Sequence, residues 1–178
     1  MERSMPHCIF MPRREVERLV PESGTHLISI SDDADDQASI DESLWSSVSY
    51  HHFVDAGFDE EIINLYGPEF ELHYADYFLA TKAETLRQRL KELADQRKNI
   101  VINCQAGRSR SAAVAMYLAH HHGYKLNKPT PDANLCVYRM LVQDASLLEA
   151  YNRATSGHSQ EKSPASTFFR LLTWLRAR

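Results

Sequence analysis

The segment Ile100-Val101-Ile102-Asn103-Cys104-Gln105-Ala106-Gly107-Arg108-Ser109-Arg110-Ser111-Ala112-Ala113-Val114 constrains the fold more than any other stretch of the 178-residue chain. Ile100 to Ile102 is a β-branched apolar run of the kind that forms a buried strand, and the Ala-rich stretch from Ser111 to Ala119 reads as the start of a buried helix. The residues between them join a strand to a helix N-terminus. Unpaired backbone N–H groups and the helix dipole make such a terminus a seat for phosphate or sulfate. Gly107 lets the backbone bend close around the anion. Cys104 stands at the strand end, and a helix N-terminus with cations nearby is the setting that makes a cysteine a nucleophile. Arg110 offers a planar, permanently charged fork for two phosphoryl oxygens, which a lysine does not. The Ser111 hydroxyl is placed to donate to the cysteine sulfur, a role compatible with capping the helix.

The run Cys104-Gln105-Ala106-Gly107-Arg108-Ser109-Arg110-Ser111 resembles the phosphate-binding loop of cysteine-dependent protein tyrosine phosphatases, especially compact dual-specificity enzymes of bacterial or viral type. The resemblance implies an α/β fold, with a central, largely parallel sheet flanked by helices and the phosphate-binding loop between a strand and a helix. It implies a two-step reaction without metal or cofactor: Cys104 attacks phosphorus and water then hydrolyses the phosphocysteine. Gln105, Ala106, Gly107, Arg108, Ser109 and Arg110 would hold the phosphoryl group. Asn103 stands where the family usually carries His, and its amide is expected to hydrogen-bond the loop backbone.

The family also places a general-acid Asp on a mobile loop upstream of the cysteine. Asp55 is the first choice, because Phe53-Val54-Asp55 repeats the apolar-then-acid pattern of compact relatives. Its long separation from Cys104 implies an insertion between Gly57 and Tyr74. Asp59 and Asp76 are the alternatives, and capping or solubility is the bland role for all three. The expected substrate is a phosphorylated protein or peptide, phosphotyrosine foremost and with dual specificity. A phosphoinositide or RNA 5′-phosphate phosphatase is a second reading, although such loops usually carry more basic residues. A non-catalytic phosphate-binding pseudophosphatase is a third, which retention of Cys104, Arg110 and Ser111 opposes.

With 43% hydrophobic residues the chain suffices for one well-buried domain. We expect that domain over 1–152, a polar linker over 153–166 and an amphipathic helix over 167–178. This last segment, with Phe168, Phe169, Leu171, Leu172, Trp174 and Leu175 beside Arg170, Arg176 and Arg178, would pack on its own domain or meet a partner, a second subunit or a membrane surface. A net charge of −4 with no basic stripe gives no reason to expect nucleic acid. No apolar run reaches membrane-spanning length and Met1 to Phe10 lacks a signal-peptide core, so a cytoplasmic location is expected. Cys8, Cys104 and Cys136 are too scattered for a disulfide framework or a zinc site.

Further strands are expected at His7 to Met11, Thr25 to Ile30 and Leu44 to Val54. Helices are expected at Pro12 to Val20, Ala80 to Ala94 and Asn134 to Gln143, the last after a Pro131-Asp132-Ala133-Asn134 turn that loosely matches the family's Pro-Asn turn. Ser31 to Ser43, with Asp32, Asp33, Asp35 and Asp36, reads as a solvated acidic loop, and Asp55 to Tyr74 as a long functional loop. His120-His121-His122-Gly123 reads as a cationic helix end with a glycine cap rather than as a metal site.

Overall fold

Short apolar runs joined by connections that return outside the sheet are able to pair in parallel. The computed structural model describes residues 5–156. Its five strands are β1 (His7–Pro12), β2 (His26–Ser31), β3 (Ser47–His52), β4 (Ile100–Cys104) and β5 (Lys125–Leu126). They form one all-parallel sheet in the order β3-β2-β4-β1-β5, which is the architecture expected. Every residue of β2 and β4 is buried, as central strands covered on both faces require.

The two-residue period of a strand sorts the side chains into layers. Cys8, Phe10, Ile28, Ile30, Ile100, Ile102 and Cys104 face the larger core. This core is completed by α2 (Glu60–Tyr66), α3 (Phe70–His73), α4 (Ala80–Asp95), α5 (Arg110–His122), α6 (Leu135–Leu141) and α7 (Ala145–Ser156). Met11, Leu27 and Val101 face the other way, onto Val16 of the short α1 (Arg13–Val16) and onto Ala38 and Trp45. Crossovers running toward β3 therefore lie on one face and those running toward β5 on the other, the arrangement that right-handed connections generate.

Several boundaries differ from expectation. Helix α1 stops at Val16 rather than Val20, since a β-branched residue directly before Pro21 disfavours helical backbone. Strand β3 is confined to Ser47–His52, because Asp41 caps a single 3₁₀ turn at Glu42–Leu44. The stretch read as a loop, Asp55 to Tyr74, instead holds α2, α3 and a 3₁₀ turn between them. Asp59 caps α2 by accepting from the Ile62 N–H at 2.9 Å, and Phe58, Ile63 and Phe70 bury against the main core. Arg139 of α6 pairs with Glu60 and Asp144 and so clamps α2 to α6 and α7. Helix α7 runs to Ser156, so residues 153–156 of the expected linker are helical: Leu147, Ala150, Tyr151 and Ala154 form one buried face that carries the helix past 152. The remainder of that linker and the amphipathic segment 167–178 lie outside the described residues. Gly123 ends α5 in the left-handed conformation (φ 68°), as the triple-His reading anticipated. Among the described residues no helix is long and apolar enough to cross a membrane.

Candidate active site

In a parallel sheet the loops at the carboxyl ends of the strands gather on one edge, where ligands of such folds bind. Here the register aligns Pro12 with Cys104 and Ser31 with His52. The residues that follow β1, β2, β3 and β4 thereby meet at one place.

Strand β4 delivers Cys104 fully buried at the base of the loop. Helix α5 begins at Arg110, with Ser109 at its cap position but making no side-chain cap hydrogen bond. The Ser109 hydroxyl is turned away and donates instead to Asp55 Oδ1 at 2.6 Å. The uncapped turn of a 13-residue helix thus faces the loop that Cys104 opens, the arrangement suited to an anion. Gly107 closes the bend with φ +64°, and a Cβ there would lie 2.1 Å from the Pro12 nitrogen and 2.3 Å from the Met11 carbonyl carbon. The loop is therefore seated directly on the β1 backbone, a fit open only to glycine. Ser111 is also fully buried, with Oγ 3.2 Å from Cys104 Sγ.

Arg110 is 3% exposed, and its guanidinium is oriented by two acceptors on one nitrogen. Nη1 donates to the Phe53 carbonyl and to Asp32 Oδ1, each at 2.6 Å. Nε is buried and has no hydrogen-bond partner among the described residues. With Nη1 committed, the Nε–Nη2 edge is the fork left for an oxyanion. Asp55 Oδ2 lies 4.0 Å from Nε. The Asp55 carboxyl group is thus carried from the end of β3 to the one loop segment that holds both the buried Arg110 and the Cys104 thiol at its base.

The three acid candidates occupy different places. Asp55 lies at the site, while Asp59 caps α2 and Asp76 is an exposed residue whose carbonyl accepts the Val54 N–H at 2.9 Å. Gln105, Ala106 and Arg108 are exposed on the loop rim. Gln105 and Ala106 border a cavity of about 520 Å³ with Pro12, Arg13, Arg14 and Glu17. Asn103 points to the opposite face of the sheet from Cys104, beside Ser29 in register, and its buried Oδ1 has no hydrogen-bond partner among the described residues; the bond expected from its amide to the loop is not made by this oxygen, because strand alternation turns the side chain away.

Asp32 was not foreseen at the site. It belongs to the acidic stretch read as solvated surface, yet the end of β2 carries it to Arg110 while Asp36 pairs with Arg13 and Asp33 accepts from the Asp35 and Asp36 N–H groups. Its position directly after a buried strand, at the ligand-binding edge of an α/β sheet, was the available signal. All three cysteines are free. Burial pushes the Cys8 and Cys136 thiols up; Cys8 lies within the main core and the half-buried Cys136 packs against it. Cys8 pairs in register with Ile100, at the far end of the strand from Cys104.

No family model and no curated protein sequence matches the chain. A solved structure described as the crystal structure of Tk-PTP in the active form is similar at 14% identity and a TM-score of 0.40, over 84% of this chain and 92% of that one.

Proposed function

We propose that the protein is a cysteine-dependent phosphomonoester hydrolase acting on phosphorylated protein side chains, phosphotyrosine foremost and phosphoserine or phosphothreonine in addition. One observation carries the reading. The Cys104 thiol, the Arg110 Nε, which makes no hydrogen bond among the described residues, and the Asp55 carboxyl group converge at the N-terminus of α5, with Ser111 in contact with the sulfur.

The chemistry follows from the roles these groups can take. The phosphoryl oxygens bind the loop N–H groups and the free edge of Arg110, which places phosphorus above the sulfur. The Cys104 thiolate forms an S–P bond as the bond from phosphorus to the leaving oxygen breaks, and Asp55 gives that oxygen its proton. Asp55, now a carboxylate, takes a proton from water as the water oxygen bonds to phosphorus. The S–P bond breaks, inorganic phosphate departs, and the Ser111 hydroxyl donates to the returning thiolate. Atoms balance over the cycle with water as the sole co-reactant.

The experiment is hydrolysis of an aryl phosphate in the presence of a chelator by the wild-type protein and by Cys104→Ser. Turnover by the wild type, its loss in the variant and retained phosphate binding are expected. Activity that survives the substitution, or that disappears with the chelator, contradicts the mechanism. A panel of phosphotyrosine, phosphoserine and phosphothreonine peptides with a phosphoinositide tests the substrate class.

A further inference from the structure

Asn134 precedes α6 and lies 79 residues from Asp55 in sequence, yet it joins three segments at the site. Its backbone N–H donates to the Ser109 carbonyl at 3.2 Å. Its Nδ2 donates to Asp55 Oδ1 at 3.1 Å and to the Ala56 carbonyl at 3.3 Å. Its Oδ1 accepts from the Val137 N–H at 3.1 Å and caps α6. The amide orientation is fixed by this set: the helix end needs an acceptor, and the two oxygens of the acid segment need a donor.

We infer that Asn134 and Ser109 are positioning residues that seat the proton of Asp55 on Oδ2. Resting on the assignment of Asp55 as general acid, this specifies how that acid is held. Ser109 Oγ donates to Oδ1 at 2.6 Å and Asn134 Nδ2 at 3.1 Å, so both donors meet the same oxygen. A carboxyl oxygen that accepts two hydrogen bonds has both lone-pair directions filled and is the carbonyl-like oxygen of the neutral acid. The proton is left to Oδ2, the oxygen that faces Arg110 Nε at 4.0 Å and hence the position of the phosphoryl group. The same bonds prevent the carboxyl from rotating, so the proton is presented to the leaving oxygen without a search. After transfer the two donors remain on the carboxylate and hold it for the water step.

A helix cap alone would be served equally by Asp. At position 134 Asp retains the acceptor for Val137 but replaces the donor to Asp55 with a second carboxylate. Asn134→Asp is therefore the informative variant, with Ser109→Ala as an independent removal of the other donor and Asp55→Asn as the reference. Turnover is measured on p-nitrophenyl phosphate, whose leaving group needs little protonation, and on phenyl phosphate, whose leaving group needs it. Binding of orthovanadate serves as the control for an intact loop.

Asn134→Asp is expected to lower phenyl phosphate turnover about tenfold or more beyond its effect on p-nitrophenyl phosphate, in the direction of Asp55→Asn and with vanadate binding retained. Ser109→Ala moves the same ratio the same way. If Asp55→Asn shows the leaving-group preference while Asn134→Asp and Ser109→Ala slow both substrates equally or not at all, the positioning inference is overturned and the acid assignment stands. If Asp55→Asn shows no preference, the acid assignment fails and the inference fails with it.

Discussion

Arg110 Nη1 donates at 2.6 Å to Oδ1 of Asp32, a residue 78 positions earlier in the chain. The same nitrogen donates to the Phe53 carbonyl, which sits in the buried core and keeps its bond whatever happens at Asp32. Asp32 is 53% exposed, so it orients the guanidinium from the solvent side and adds a negative charge beside the proposed anion site.

These two effects oppose each other, and charge should win. The Phe53 carbonyl still orients Arg110 when the Asp32 charge is removed. The carboxylate repels a phosphoryl dianion by about 1 kcal/mol at this exposure, worth roughly fivefold in affinity. Asp32→Asn is expected to tighten inorganic phosphate and vanadate binding about fivefold, an effect that shrinks at high salt. Weaker binding in a competitive inhibition assay would show that Asp32 is needed chiefly to place the arginine.

Gly107→Ala should disable the loop. Its φ of +64° disfavours an L residue, and its Cβ would overlap the β1 backbone at Pro12 rather than a movable side chain. The substitution is expected to cost more than about 1 kcal/mol of stability and to abolish phosphate binding. Thermal unfolding and a phosphate titration of the variant check both parts; unchanged anion affinity contradicts the placement of the loop on β1.

Replacing the three acid candidates one at a time should sort them by kind of effect. Asp55→Asn is expected to lower turnover by about two to four orders of magnitude with stability little changed. Asp59→Ala removes the cap of α2 and should cost about 1 kcal/mol of stability. Asp76→Asn should leave both near wild type, because its backbone carbonyl makes the bond to Val54. Steady-state kinetics together with melting temperatures distinguish these outcomes.

Stability should fall with acid in two steps. Burial first, then the charges of His52 and Arg89, lowers His51 from 6.5 to about 4. Between those values the unfolded chain binds a proton that the folded protein refuses, so stability drops as pH falls from about 6.5 to about 4. Hydrogen bonds from Arg139 are the leading cause that depresses Glu60 from 4.5 and Asp144 from 3.8, each to about 2. Their contribution is complete above the unfolded values and is lost as pH falls toward about 2. Melting temperature against pH should have a shallower upper slope in His51→Gln, where His26 and His122, also lowered by burial, keep the rest, and a shallower lower slope in Arg139→Gln. Unaltered slopes in both variants contradict these assignments.

Legibility in the sequence tracked contiguity. The strand-loop-helix of the candidate site could be read because Cys104, Gly107, Arg110 and Ser111 lie in one segment, each with a local chemical reason. The parallel sheet could be read because β1, β2 and β4 are apolar runs spaced by crossovers. Asp32 and Asn134 could not be assigned their contacts, since both reach the site only through the register of β2 against its neighbours and the packing of α6 against the loop. The helices between Asp55 and Tyr74 escaped notice because they are too short to show a period, although Asp59-Glu60-Glu61 carried an N-terminal signature. Their stability comes from Phe58, Ile63 and Phe70 docking on a core formed by distant residues, which no local propensity reports.

The central claim is that Cys104 attacks phosphorus. Mixing the wild-type protein with an aryl phosphate, quenching in acid during turnover and mapping the phosphoryl group by mass spectrometry tests it directly. A phosphoryl group on Cys104, formed and consumed at rates compatible with turnover and lost in Cys104→Ser, is the predicted result. A phosphoryl group on a different residue, or steady turnover with Cys104 unmodified throughout, would contradict the account.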